Sequence, residues 1–140
     1  MNLPMNIFAL QGPSNTGKST TLIELLELLE QKYPNATVTD LAGGTKDVNV
    51  IVHPVNGLRI GIESQGDPHS RLQHSLLHFQ DVACDIVFCA CRTSGMTVAW
   101  IKSMSPSATI QFIHQPRSKP TQHESANTSM ANHLLTLASL

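Results

Sequence analysis

The sequence predicts an α/β protein in three layers: a mostly parallel sheet of five to six strands, helices on both faces, and one antiparallel hairpin strand. Three observations predict it. Short apolar runs alternate with amphipathic segments along the whole 140-residue chain, as strand–helix units do. The apolar runs are continuous, as in "CDIVFCACR" (Cys84 to Arg92), which suits strands buried on both faces. Two β-rich runs flank "PVNG", whose Asn56-Gly57 pair is a strong hairpin signal. The length fits one domain, residues 1–140.

The elements follow in order. "NIFALQ" (Asn6 to Gln11) reads as a short buried strand. Gly17 to Tyr33 reads as a helix, because Leu22, Leu25, Leu26 and Leu29 recur at helical spacing and Pro34 stops it. Ala36 to Leu41 is a second strand, broken by "AGGT". The hairpin strands run from about Val48 to His53 and Leu58 to Ile62. Asp67-Pro68 reads as an N-cap with proline at the first helical position, opening a helix to about Val82. After the Cys84–Arg92 strand, "TSGMTVAWIKSMS" gives a short helix, in which Trp100 packs in the core and Thr93 and Ser94 act as caps. Ala108 to Gln115 is the last strand, and "PRSKP" is a loop. Thr121 and Glu124 form a T-x-x-E capping box for a final helix to about Ala138, with Ala126, Met130, Leu134 and Leu137 facing the core.

The chemistry concentrates in "QGPSNTGKST". Gly12, Gly17, Lys18 and Ser19 match G-x-x-x-x-G-K-[ST], with a strand before the motif and a helix after it. The glycines permit tight backbone geometry near a ligand. Pro13, Ser14, Asn15 and Thr16 fill the loop, and N–H groups from about Asn15 to Thr20 can form an anion nest, reinforced by the positive end of the helix dipole. Lys18 reaches β- and γ-phosphates, the Ser19 hydroxyl ligates Mg²⁺, and Thr20 contacts the α-phosphate.

In these residues the chain resembles the P-loop NTPase superfamily; beyond the strand–loop–helix unit the resemblance extends only to element order. It implies the P-loop NTPase fold, a nucleotide ligand, Mg²⁺, and an acidic residue ending a later apolar strand. That place, after "LRIGI", is held by Glu63, where the superfamily usually has Asp. Glu63 is thus the second expected metal group. Glu63-Ser64-Gln65-Gly66 also resembles the D-x-x-G motif of the GTPase branch, so Gly66 is expected to sense the γ-phosphate and Asp67 or Gln65 to place water or a substrate hydroxyl; capping alone also accounts for Asp67. An [NT]-K-x-D base signature is missing: "TKDV" at Thr45 comes too early and puts Val48 where Asp is needed, so ATP is expected over GTP. Arg92 ends a strand at the ligand side of an open sheet and can contact phosphate or stabilise charge. By element order the Glu63 strand is expected beside the phosphate-loop strand, as in the kinase–GTPase branch; recombination-type ATPases insert another strand between them.

These readings lead to a Mg²⁺-dependent ATP-binding protein with NTPase activity. Two alternatives stand beside it. A small-molecule kinase would use "GGTKD" and the hairpin to shape an acceptor pocket, but the short "TSGMTVAWIKSMS" connection leaves no room for an Arg-rich lid, and only Arg59, Arg71, Arg92 and Arg117 are available. A nucleotide-binding switch, or a subunit completed by a protein partner or a second copy, needs little activity of its own.

Composition narrows the partners. Net charge is -1 with no cluster of Lys and Arg, which argues against nucleic acid. No apolar run reaches the roughly 18 residues of a membrane helix, and "MNLPMNIFAL" lacks the basic start of a signal peptide, so a cytoplasmic chain is expected. Only 14% of residues are charged, against roughly 25% in an average domain, so either a subunit contact or a surface of Ser, Thr, Asn, Gln and His is expected. Cys84, Cys89 and Cys91 read as buried structural thiols. His74 and His78 share a helix face, but "HSLLH" lacks the Glu of H-E-x-x-H, so they read as polar surface. His69 is near enough to the site to join it.

Overall fold

The computed structural model describes residues 4–13, 16–42, 47–116 and 122–140. Among the described residues the order is β1 (Met5–Gln11), α1 (Lys18–Lys32), β2 (Thr37–Asp40), β3 (Asn49–Val55), β4 (Leu58–Glu63), α2 (Leu72–Asp81), β5 (Ile86–Cys91), α3 (Met96–Lys102), β6 (Ala108–His114) and α4 (His123–Leu137). The strands form one six-stranded sheet in the order β2-β3-β4-β5-β1-β6. β4, β5, β1 and β6 are mutually parallel. β3 runs antiparallel to both β2 and β4, so it alone is reversed. The turn into β4 places Asn56 at φ 52° and Gly57 at φ 81°, the left-handed pair that an Asn-Gly hairpin uses.

Alternation along the strands builds the layers. Phe8 and Leu10 of β1 and Phe88 of β5 pack with Leu22, Leu25 and Leu29 of α1 and Leu134 and Leu135 of α4. Ile7, Ala9, Val87 and Cys89 point to the other face, against Leu72, Leu76 and Phe79 of α2 and Ile101 of α3. Burying each such large apolar side chain contributes about 1.5–3 kcal/mol, which sandwiches the sheet between two helix pairs. All three cysteines are buried. The large hydrophobic side chains exposed among the described residues, Leu41, Leu77 and Met96, lie on separate segments. No helix among them is long and apolar enough to cross a membrane.

Three expectations are corrected here. First, β5 lies between β4 and β1, so the Glu63 strand is not the neighbour of the loop-bearing strand. Every residue of β5 is buried, and such a run is most stable at the sheet centre, whereas β4 carries Arg59 and Glu63. Second, α2 starts at Leu72, four residues after the predicted Pro68, with Arg71 at the N-cap. Asp67 does not cap it: its carbonyl accepts the Ser70 N–H (3.1 Å) and hydroxyl (2.6 Å), closing a turn ahead of the helix. Third, the fully buried stripe of α4 is Asn127, Ala131, Leu134 and Leu135; of the predicted core face Leu134 is on it, while Met130 and Leu137 pack against the same core only partly buried. A polar residue on the buried stripe rotates the face by about one position, for a reason found at the site. Thr121, the predicted cap, and the loop residues Arg117 to Pro120 lie outside the described residues, as do Gly43 to Lys46 of the "GGTKD" turn.

Candidate functional site

Four parallel strands end at one edge of the sheet, and the segments that follow them meet over a cleft of about 1030 Å³. One wall is the β1–α1 loop and the first turns of α1, with Thr16, Gly17, Lys18, Ser19 and Thr20. The opposite wall is the segment after β4, with Ser64, Gln65, Gly66 and Asp67. Arg92, one residue after β5, closes the floor. The start of α4 adds His123, Glu124 and Asn127, and Asp47 enters just ahead of β3. Of the residues singled out in the sequence, Thr16, Lys18, Ser19, Thr20, Gly66, Asp67, Arg92, Gln65 and His69 are brought together here. Ser14 and Asn15 lie outside the described residues.

The loop is built for a tight path. Gly17 sits at φ 89°, where an L side chain is strained, and a Cβ there would come within 2.7 Å of Asn127 Oδ1. Gly12 donates its N–H to the Cys91 carbonyl (3.2 Å), tying the loop to β5. The Thr16 hydroxyl donates to the Pro13 carbonyl (3.0 Å). Lys18 is 8% exposed as a residue, and its ammonium donates to the carbonyls of Gly12 (2.6 Å) and Pro13 (2.7 Å). Burial lowers its pKa below the ordinary lysine range, the Arg92 charge lowers it further, and Asp67 works in the opposite direction. Ser19 is an exposed residue, and its hydroxyl donates to the Ser64 carbonyl at 3.3 Å.

Below the loop lies a buried knot of polar side chains that the motif does not contain. Gln115, directly after β6, donates Nε2 to the Thr16 carbonyl (2.8 Å) and to Asn127 Oδ1 (3.0 Å). Its Oε1 accepts the Thr21 hydroxyl (2.9 Å), which also lies 3.2 Å from Asn127 Oδ1. This is the reason Asn127 occupies the buried stripe of α4. The available signal was a stripe at 127, 131, 134 and 135, visible once a buried Asn is allowed on it.

Glu63 stands elsewhere. It is fully buried and does not line the cleft. Arg71 grips its carboxylate through Nε (2.7 Å) and Nη2 (3.2 Å), and the Ser75 hydroxyl (2.6 Å) and Gln65 N–H (3.2 Å) complete the set. That hydrogen bond holds Arg71 still more firmly protonated. Alternation turns this carboxylate, expected in a metal-linked role, to the α2 side of the sheet, where it anchors the segment that follows β4. Asp67 likewise faces a cation, accepting Arg92 Nη2 (2.6 Å) and Nε (3.1 Å). Gly66 presses against β5, with a Cβ position only 2.6 Å from the Ala90 carbonyl, so close approach alone requires glycine there.

Asp47 is the acid that the sequence did not single out. Gln65 Nε2 donates to its Oδ2 (2.9 Å), and the Ser64 hydroxyl lies 3.4 Å from its Oδ1. Its place follows from the hairpin: Asn49 is level with Glu63 across β3 and β4, so the chain just before Asn49 emerges at the cleft edge of the sheet. Among the described residues no three His, Cys, Asp or Glu side chains form a metal cluster. The His78 ring lies 6.5 Å from that of Phe79. No protein-family model matches the chain, and no curated protein or solved structure matches it either.

Proposed function

We propose that the protein binds a Mg²⁺–nucleoside triphosphate, ATP, at the β1–α1 loop and hydrolyses it. The observation that carries the reading is the loop itself: G-x-x-x-x-G-K-S between a buried strand and a helix, with Gly17 left-handed and Lys18 folded into the loop, opening on a cleft. The cleft is at the upper end of the roughly 300–1,000 Å³ range of small-ligand sites, ample for a nucleotide.

The donor chemistry suits Mg²⁺. The Ser19 hydroxyl and the Asp47 and Asp67 carboxylates on the walls are hard oxygen ligands, and Mg²⁺ is normally held by one or two such groups plus phosphates and water. When bound, the ion would neutralise charge on the phosphate oxygens. Lys18 would leave the loop carbonyls for phosphate oxygens. Arg92 would exchange Asp67 for the transferring phosphoryl group, and the freed Asp67 carboxylate would orient water. Glu63 enters only by fixing Arg71 and, through it, the segment carrying Gln65, Gly66 and Asp67.

The test is Mg²⁺-dependent phosphate release. Wild type should turn over ATP, and Lys18→Ala should reduce turnover at least a hundredfold. Equal turnover in the two proteins contradicts the reading. A second reading is favoured by one observation: the two acids that the sequence singled out, Glu63 and Asp67, already hold arginines. A nucleotide-binding switch completed by a partner would look like this. It predicts tight stoichiometric ATP binding with turnover far below the roughly 1 s⁻¹ floor of ordinary enzymes.

A further inference from the structure

We infer that Gln115 and Asn127 form a buried amide clamp that aims the Gly17 N–H at a phosphate oxyanion, making them positioning residues for phosphate binding from outside the loop motif. The inference rests on the phosphate-binding reading of the β1–α1 loop. It starts from peptide geometry. In a trans peptide the carbonyl of one residue and the N–H of the next point in opposite directions. The Thr16 carbonyl is directed beneath the loop, where Gln115 Nε2 donates to it at 2.8 Å. The Gly17 N–H of the same peptide plane therefore faces the opposite way, into the cleft that Thr16, Gly17 and Lys18 line.

The clamp is defined on every side. Gln115 uses one amide proton on Thr16 and the other on Asn127 Oδ1 (3.0 Å), and its Oε1 accepts from Thr21 (2.9 Å). Gln115, Asn127 and Thr21 are 4%, 5% and 0% exposed, so water does not replace a lost partner cheaply. Gly17 completes the fit: its Cβ position lies 2.7 Å from Asn127 Oδ1 and 3.1 Å from Gln115 Nε2, so the clamp sits directly against the peptide it orients. Gln115 itself is fixed by its backbone, whose N–H bonds the Gln11 carbonyl (2.9 Å) at the end of β1. Strand β6 and helix α4 thus reach under the loop and set the direction of one of its donors. A loop without such a brace could rotate the Thr16–Gly17 peptide and present a carbonyl to the ligand, which repels an anion.

The ligand class is a phosphate oxyanion irrespective of the base, and the experiment uses that. Isotope-labelled wild type and Gln115→Met, a substitution close in volume that removes both donors, are titrated with Mg·ADP and with Mg·pyrophosphate. In wild type the Gly17 amide proton should move downfield together with those of Ser19 and Thr20. Gln115→Met should bind both ligands about ten- to hundredfold more weakly, the value of one charge-assisted hydrogen bond, by the same factor for each, and lose the Gly17 shift. Asn127→Ala, which leaves the Thr16 bond but removes the brace, should show a smaller loss of the same kind and serves if Gln115→Met does not fold. Ser19 and Thr20 responding in wild type while Gly17 stays still overturns the clamp alone. So does Gln115→Met affinity within twofold of wild type. No response at any loop amide overturns the nucleotide reading and the clamp together.

Discussion

Replacing Arg71 with Met should destabilise the protein more than replacing its partner Glu63 with Gln. The asymmetry follows from exposure: Glu63 is 0% exposed, whereas the Arg71 side chain is 25% exposed. Arg71→Met leaves a buried carboxylate with two of its four donors, Ser75 and the Gln65 N–H. Removing one partner of a buried pair costs about 3–5 kcal/mol, and the two surviving donors place this case near 3 kcal/mol. Glu63→Gln keeps the shape and releases an arginine that can rehydrate, so its cost is about 1–2 kcal/mol, the range of one charged hydrogen bond. For a domain of this size 3 kcal/mol lowers Tm by roughly 6–12 °C. The double substitution Glu63→Leu/Arg71→Met should recover most of the loss, because apolar replacement of a buried pair is often neutral. Thermal melts of the four proteins decide it, with the apparent Mg²⁺ requirement for ATP turnover measured beside them. Glu63→Gln costing as much as Arg71→Met, or raising the Mg²⁺ requirement several-fold, would refute the reasoning and return Glu63 to the metal.

Three further outcomes are expected. The lowered Lys18 pKa makes ADP affinity fall with pH earlier than an ordinary lysine would: bound phosphate favours the ammonium, so the complex holds more protons than the free protein, and affinity is lost as pH rises through the free-protein value, below 10.5. Binding isotherms across alkaline pH show this, and Lys18→Ala should be weak and flat over the same window; a wild-type curve equally flat contradicts it. Gly17→Ala forces an alanine to φ 89° and a Cβ to 2.7 Å from Asn127 Oδ1, so the left-handed cost of about 1 kcal/mol adds to a clash. Its Tm should drop by several degrees with ADP-induced stabilisation lost, and retention of that stabilisation would refute the packing argument. Burial raises the Cys84 thiol to about 12 and Cys91 to about 11, and lifts Cys89 well above its usual value, so a thiol reagent at pH 8 should label the native protein only as fast as it unfolds. Stoichiometric labelling within seconds without denaturant would contradict it.

The parts of this structure that were legible in the sequence are those fixed by local chemistry. Asn56-Gly57 made the hairpin because only a left-handed pair matches the twist of its strands. The continuous apolar run of β5 predicted a strand buried on both faces, and β5 is buried throughout. Its place between β4 and β1 was not legible, since element order alone does not rank two parallel strands for the centre. Side-chain partners reached through the fold were hidden for the same reason. Glu63 ended the expected strand, but the choice between cleft and α2 face depended on Arg71 and Ser75, eight and twelve residues on. Asp67-Pro68 carried a convincing helix start, yet a tertiary contact with Arg92 took its carboxylate. Gln115 and Asn127 were invisible because their role exists only once β6 and α4 flank the loop, and hydrophobic periodicity passes over a buried amide.

The central claim, that the β1–α1 loop binds the phosphates of a nucleotide, is tested most directly by calorimetric titration of the purified protein with Mg·ATP, Mg·ADP and AMP. The account predicts one site per chain, affinity falling from the triphosphate and diphosphate to the monophosphate, and loss of at least a hundredfold in Lys18→Ala. Absence of binding at millimolar Mg·ATP, or equal affinity in wild type and Lys18→Ala, would contradict it.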